Sequence, residues 1–150
     1  MNRTTDNRTG MPIVTNEKLG YRDLDLNDRH RLWGWNCPAV DIDLLFIEYN
    51  AGIPVALVEY KHENCKAIQS SHPSYKAMIY LADCAKIPMI ACQYSADFST
   101  WRPIPLNDHA RQYLPEKKPL TERQWVELLY TIRGFKAPDS IFDKDSIKCP

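Results

Sequence analysis

The chain has 150 residues, with 19 Lys and Arg balanced by 19 Asp and Glu, 44% apolar and 25% charged. That length suits one domain burying roughly 68–70% of its unfolded surface, and the composition excludes a disordered or coiled-coil chain. The zero net charge removes the simple electrostatic case for nucleic-acid binding. No apolar run approaches the roughly 20 residues of a membrane helix, and MNRTTDNRTG has no signal-peptide core. Cysteines 37, 65, 84, 92 and 149 are odd in number and lack CxxC spacing, so the expected compartment is a reducing cytoplasm.

In chain order, residues 1–20 are polar and read as a flexible arm. A single α/β domain is expected over 21–136, followed by a polar tail over 137–150. Asn27 is placed to cap a short helix that Gly34 ends. Ala39 to Tyr49 and Ile53 to Lys61 are rich in aliphatic and aromatic residues, and Asn50-Ala51-Gly52 separates them. That pattern predicts a β-hairpin over 39–61, with a three-residue loop whose last residue is left-handed. Pro73 then opens a helix over about 73–86, in which Tyr75, Met78, Ile79, Ala82 and Ala85 recur at helical spacing. Met89 to Tyr94 reads as a strand buried on both faces, so strand, helix and strand form a βαβ crossover. Prolines 103, 105, 115 and 119 mark a loop region with one edge strand near 101–106. Thr121 and Gln124 make the capping box of a last helix, with Trp125, Leu128, Leu129 and Ile132 as its apolar stripe and Gly134 as its stop. The fold class expected is α/β, a mixed central sheet of hairpin plus crossover, flanked by helices.

The hairpin carries the chemistry. Asp41, Asp43, Glu59 and Lys61 are all odd-numbered, so the charges within each strand share a face. With a three-residue loop, Tyr49 faces Ile53, Asp43 lies opposite Glu59, and Asp41 lies opposite Lys61. A two-residue loop would put Asp43 and Glu59 on opposite faces. Directly opposed carboxylates destabilise a strand pair unless a cation neutralises them. Mg²⁺ (or Mn²⁺) does this with one or two carboxylates, waters and a substrate phosphate. Such an ion assists hydrolysis of a phosphodiester, and Lys61 is within reach to position a water or contact a phosphate oxygen.

An Asp on one strand, a hairpin, and Glu-x-Lys ending the next strand resemble the PD-(D/E)XK nuclease superfamily, which includes restriction endonucleases and Holliday-junction resolvases. The resemblance covers roughly residues 25–95. It rests on Asp43-Leu-Leu-Phe-Ile, on Val-Ala-Leu-Val-Glu59-Tyr60-Lys61, and on the helix and strand that follow. It implies a restriction-endonuclease-like fold in which Asp43, Glu59 and the Tyr60 carbonyl hold Mg²⁺ or Mn²⁺. Asp41 is the alternative to Asp43, and Lys61 is the catalytic lysine. No proline directly precedes the aspartate, as it does in that family. An acidic-x-Lys triplet arises about once by composition in such a chain, and Glu116-Lys117-Lys118 also fits. Only Glu59 comes with a strand, a hairpin partner and an aspartate of matching parity.

The expected partner is DNA, with no membrane and no organic cofactor. A homodimer would match the twofold symmetry of a duplex or junction. Candidate phosphate contacts are Arg29 and Arg31 on the first helix, Lys76 on the next, and Lys117, Lys118, Arg123 and Arg133 in a stretch of local excess positive charge. His62, Cys65, His72 and Cys84 match no common zinc spacing. The alternative reading is a non-catalytic binding or inhibitory protein that keeps the nuclease-like fold and docks through the aromatic, proline-rich loop.

Overall fold

The computed structural model describes residues 4–5, 12–13, 29, 32–33 and 39–142. The chain divides into two compact units, Met1–Asp41 and Ile42–Pro150. In the first, within the stretch expected as an arm, strands β1 (Thr4–Thr5) and β2 (Pro12–Ile13) pair antiparallel, Thr4 with Ile13. Of the helix expected at 27–34, Arg29 and Leu32 are helical. Arg31 and the rest of that segment lie outside the described residues.

The second unit is an α/β fold around a mixed four-stranded sheet ordered β3-β4-β5-β6. These strands are β3 (Leu44–Glu48), β4 (Ile53–His62), β5 (Met89–Tyr94) and β6 (Trp101–Pro105). Helix α1 (Pro73–Ala85) connects β4 to β5, which run parallel, while the two outer pairs are antiparallel. A short helix α2 (Asp108–Arg111), α3 (Glu122–Ile132) and a 3₁₀ turn (Asp139–Phe142) follow. The 3₁₀ turn falls inside the expected tail, where Ala137 is also buried; residues 143–150 lie outside the described residues.

Each element forms for a local reason. Pro73 sits in the first turn of α1, and the His72 side chain caps it by accepting from Ser74 N–H. Both bonds of the Thr121–Gln124 capping box are present at the start of α3. Trp101 exchanges both backbone bonds with Leu120, so the peptide groups of 101, 103 and 105 point away from β5. Proline at 103 and 105 therefore costs no ladder bond. The sequence reading missed α2, which the buried side chain of Asn107 organises. Its amide oxygen accepts from Met89 N–H (3.0 Å) and Ala110 N–H (2.9 Å), and its amide nitrogen donates to the Ile87 carbonyl (2.9 Å).

The hairpin turn differs from expectation. Glu48, not Tyr49, is paired next to the loop, opposite Ile53, so the loop has four residues, 49–52. Gly52 takes the left-handed conformation expected of the last position, with φ 65°. A bulge then shifts the ladder between Phe46 and Ile47, leaving Val55 without an opposite number, and from Phe46–Ala56 to Leu44–Val58 the register is the expected one. The sheet packs on both faces. Ala56, Val58, Ile90 and Cys92 meet Trp125 and Ile132 on one side. Leu57, Met89 and Ala91 meet Tyr75, Met78 and Ala82 on the other.

Candidate active site

Where β3 begins and β4 ends, the register carries Asp43 to the end of the ladder beside Glu59 and Tyr60. Asp43 precedes the first paired residue of β3 and is exposed; its Oδ2 accepts from Tyr60 N–H at 3.0 Å. In a strand the N–H and C=O of one residue point the same way, so the Tyr60 carbonyl also points toward the Asp43 side. Glu59 belongs to the face that α1 covers and is only 7% exposed. Its Oε1 takes a 2.5 Å ion pair from Lys61 Nζ, while its Oε2 is buried with no hydrogen-bond partner. Lys61, with about a third of its side chain exposed, lies at the rim.

The electrostatics follow from that arrangement. Burial pushes the Glu59 carboxyl above the usual carboxylate range, Lys61 pulls it back, and Asp43 raises it further through charge repulsion and the ability to share a proton. The bond to Glu59 is the main cause that lifts the Lys61 ammonium, which burial partly opposes, so Lys61 remains charged and works as a donor. Tyr75, on α1, has a buried hydroxyl with no partner. Burial raises it, and the charges of Lys61, Glu59 and Asp43 all act on it.

The donor set suits a hard divalent cation. It offers one uncommitted, buried carboxylate oxygen on Glu59, a neighbouring exposed aspartate, and a backbone carbonyl aimed the same way, within the one or two carboxylates that Mg²⁺ normally takes. No group of three His, Cys, Asp or Glu gathers among the described residues. The oxygen set is thus a carboxylate pair and a carbonyl, not an all-side-chain cage.

Of the expected site residues, Asp43, Glu59, Tyr60 and Lys61 come together. Asp41, the alternative first ligand, belongs to the first unit, as do Arg29 and Arg31. Lys76 is exposed on α1. Lys117 and Lys118 are exposed in the loop before α3, with Lys118 3.9 Å from Glu116. Arg123 is taken up by Glu127 at 3.0 Å and Asp139 at 2.6 Å and lies over the Phe142 ring, which ties α3 to the 3₁₀ turn. Arg133 reaches Glu48 at 3.2 Å.

Three residues at the site were not anticipated there. Tyr75 reads in sequence as one more apolar-stripe residue. Gln93 and Arg102 emerge only from the strand register, because Lys61 pairs with Gln93 and Gln93 with Arg102. Paired residues share a face, so a polar row extends from Lys61 along the same end of the sheet. Its outermost member, Arg102, is exposed. No protein-family model, curated protein or solved structure matches this chain.

Proposed function

We propose that the chain is a metal-dependent nuclease that hydrolyses DNA phosphodiester bonds, as its resemblance to PD-(D/E)XK enzymes implies. One observation carries the reading. Glu59 is buried at the end of a strand with Lys61 on one oxygen, no partner on the other, and Asp43 beside it. A buried carboxylate left half-satisfied next to a second carboxylate is costly to the fold, which points to a site kept for a ligand.

Asp43, Glu59 and the Tyr60 carbonyl would hold Mg²⁺ or Mn²⁺. Such an ion stabilises charge developing on a phosphodiester under attack and lowers the pKa of a nearby water. Lys61, held by Glu59 and permanently charged, donates to a phosphate oxygen and fixes the direction of attack. Tyr60 N–H holds the Asp43 carboxylate in place, and Trp125 holds the Tyr60 ring on the other face. Gln93 and Arg102 continue the row on which the flanking backbone would lie, so affinity depends on local bases and not on the neutral total. Cutting both strands of a duplex together calls for two copies of the chain.

The test is cleavage of labelled linear duplex, single-stranded, branched and supercoiled DNA with Mg²⁺ or Mn²⁺. Cutting should require the metal and fall about 10²–10³-fold or more in Lys61→Ala and Glu59→Ala proteins that remain folded by circular dichroism. No cutting of any substrate by the wild-type protein would overturn the reading and leave a non-catalytic binding protein with this fold.

A further inference from the structure

A run of stacked rings comes to the surface at the turn after β5. Trp125, 2% exposed, lies nearly parallel to Trp101 (11°, centroids 6.0 Å apart). Trp101 lies against Phe98 (27°, 6.1 Å), and Phe98 lies on Tyr94 (10°, 5.5 Å). These are offset-stacked separations. Phe98, unlike Trp125, is 50% exposed, and its φ of 58° is a conformation that a residue with a Cβ rarely adopts. Burial does not account for that strain, because half of the residue stays in water. The turn holds it in place all the same. Asp97 accepts from the Ser95 and Ser99 hydroxyls, and the Phe98 carbonyl accepts from Trp101 Nε1 at 2.9 Å. Strain that surrounding bonds maintain at an exposed aromatic ring points to a ligand for the ring.

The ring stands at the same end of the sheet as Lys61. Its turn joins Tyr94 to Trp101, directly beyond the Gln93–Arg102 pair that continues from Lys61. Glu63, two residues after Lys61, braces the two together. Its N–H donates to the Tyr94 carbonyl (2.9 Å), its carbonyl accepts from Gln93 Nε2 (3.3 Å), and its Oε1 accepts from Ala96 N–H (2.8 Å). Neighbouring strands are about 4.8 Å apart, which puts Arg102 about 10 Å across the sheet from Lys61. A nucleic-acid backbone lying from Lys61 to the exposed Arg102 therefore brings its next base to the turn. A base is flat and extends a stack of rings, whatever its identity. In a duplex the bases are already paired and stacked, so only an unpaired base is free to lie on Phe98.

We propose that Phe98 stacks on an unpaired base beside the cut, so that the substrate class is DNA with a single-stranded or branched stretch. This rests on the nuclease reading. Asp43, Glu59 and Lys61 serve the phosphate that is cut, Arg102 holds the backbone beyond it, and Phe98 selects for the unpaired base.

Phe98→Gly removes the ring and relieves the backbone, whereas Phe98→Trp keeps a ring. Binding of a labelled single-stranded oligonucleotide is followed by fluorescence anisotropy, once with Ca²⁺ and once with chelator. Cleavage of single-stranded, branched and linear duplex DNA is followed with Mn²⁺, and thermal unfolding checks that both variants fold. Phe98→Gly should weaken oligonucleotide binding about 10- to 100-fold, and Phe98→Trp should retain it. KM for single-stranded or branched DNA should rise by a similar factor in Phe98→Gly, with kcat unchanged and linear duplex handled as by wild type. A Phe98→Gly protein that binds the oligonucleotide like wild type overturns the stacking, and so does an equal loss for duplex and single strand. A wild-type protein that binds no oligonucleotide under either condition also overturns it and leaves Phe98 to a protein partner. Ring-dependent binding by a protein that cuts no DNA supports the stacking and overturns the nuclease reading. Cleavage that is independent of the ring overturns the stacking alone.

Discussion

Val58 and Tyr60 leave β4 on one face, and Leu57, Glu59 and Lys61 leave it on the other. On the first face, Tyr60 sits edge-on to Trp125, Trp101 and Tyr94 with ring centroids about 6 Å apart, and its hydroxyl accepts from Trp125 Nε1 at 3.3 Å. Burial pushes the Tyr60 phenol up to about 12, against the bond from Trp125, which lowers it, and burial does the same to the neighbouring Cys92 thiol, so both stay neutral and inert. On the second face, the strand ends in the Glu59 carboxylate, one oxygen of which has no partner, and the covering helix α1 adds the Tyr75 hydroxyl, which has none either. Packing alone explains the buried part of the first face. Packing does not explain the second, whose unpartnered atoms are what the proposed function accounts for.

Trp125→Ala probes the packed face and should have the largest effect on stability. The indole is 2% exposed, stacks on Trp101 at 6.0 Å and anchors Tyr60, so its truncation should cost about 3–5 kcal/mol in urea unfolding. A loss below about 1 kcal/mol would mean that the aromatic cluster is a surface and not a core.

Glu59→Leu probes the other face, with the opposite sign expected. It removes a buried, half-satisfied carboxylate, and Lys61, a third exposed, turns to solvent. In chelator the variant should be more stable than wild type, by about 1 kcal/mol. The pH dependence sharpens this. The folded Glu59 carboxyl lies above its ordinary value of 4.5, chiefly because of burial. It therefore binds its proton more tightly folded than unfolded, and its contribution to stability is complete below the ordinary value and lost as pH rises through the folded one. The wild-type-minus-variant stability difference should fall across that interval in metal-free protein. A flat difference would mean that Glu59 is solvated in the protein.

The contrast between the faces was partly legible in the sequence, because alternation is local information. The capping box at Thr121, Pro73 at the head of α1 and Gly52 in the turn each act within a few residues of where they stand. The hairpin register was reached by a different route from the one the loop suggested. The extra turn residue, Tyr49, is offset by the bulge at Val55. Slipping by one would expose Phe46 and Val58 and bury charge, so the apolar face sets the pairing and the ladder absorbs the mismatch. The rest is non-local. Glu59 is buried because α1 returns over β4, which its own strand does not encode. The Tyr75 hydroxyl becomes conspicuous only once its neighbours are in place. Arg102 comes onto the face of Lys61 through two successive strand pairings, and the pairing of Arg123 with Asp139 joins residues 16 apart that no local pattern connects.

The smallest expected effect lies at the far end of the aromatic face, where the turn after β5 presents Phe98. Its φ of 58° is costly for a residue with a Cβ, and the turn is held by Asp97. One oxygen of Asp97 accepts from the Ser95 hydroxyl (2.6 Å), the Ser99 hydroxyl (2.8 Å) and Ser99 N–H (3.0 Å), while the Phe98 carbonyl accepts from Trp101 Nε1 at 2.9 Å. The Ser95 hydroxyl, followed by the Ser99 donors, draws the Asp97 carboxyl down to about 2. A carboxyl depressed in the fold stabilises it at pH above the ordinary 3.8, and the contribution is lost as pH falls through about 2. Thermal unfolding of Asp97→Ala should therefore show a slightly lower midpoint than wild type at neutral pH, with the two curves converging near pH 2. Cleavage of linear duplex should be unchanged, because the turn supports the packed face and touches none of Asp43, Glu59, Lys61 or Tyr75. If Asp97→Ala instead impairs duplex cutting while the midpoint stays put, Phe98 is held out for paired DNA as well, and its stacking is not confined to unpaired bases.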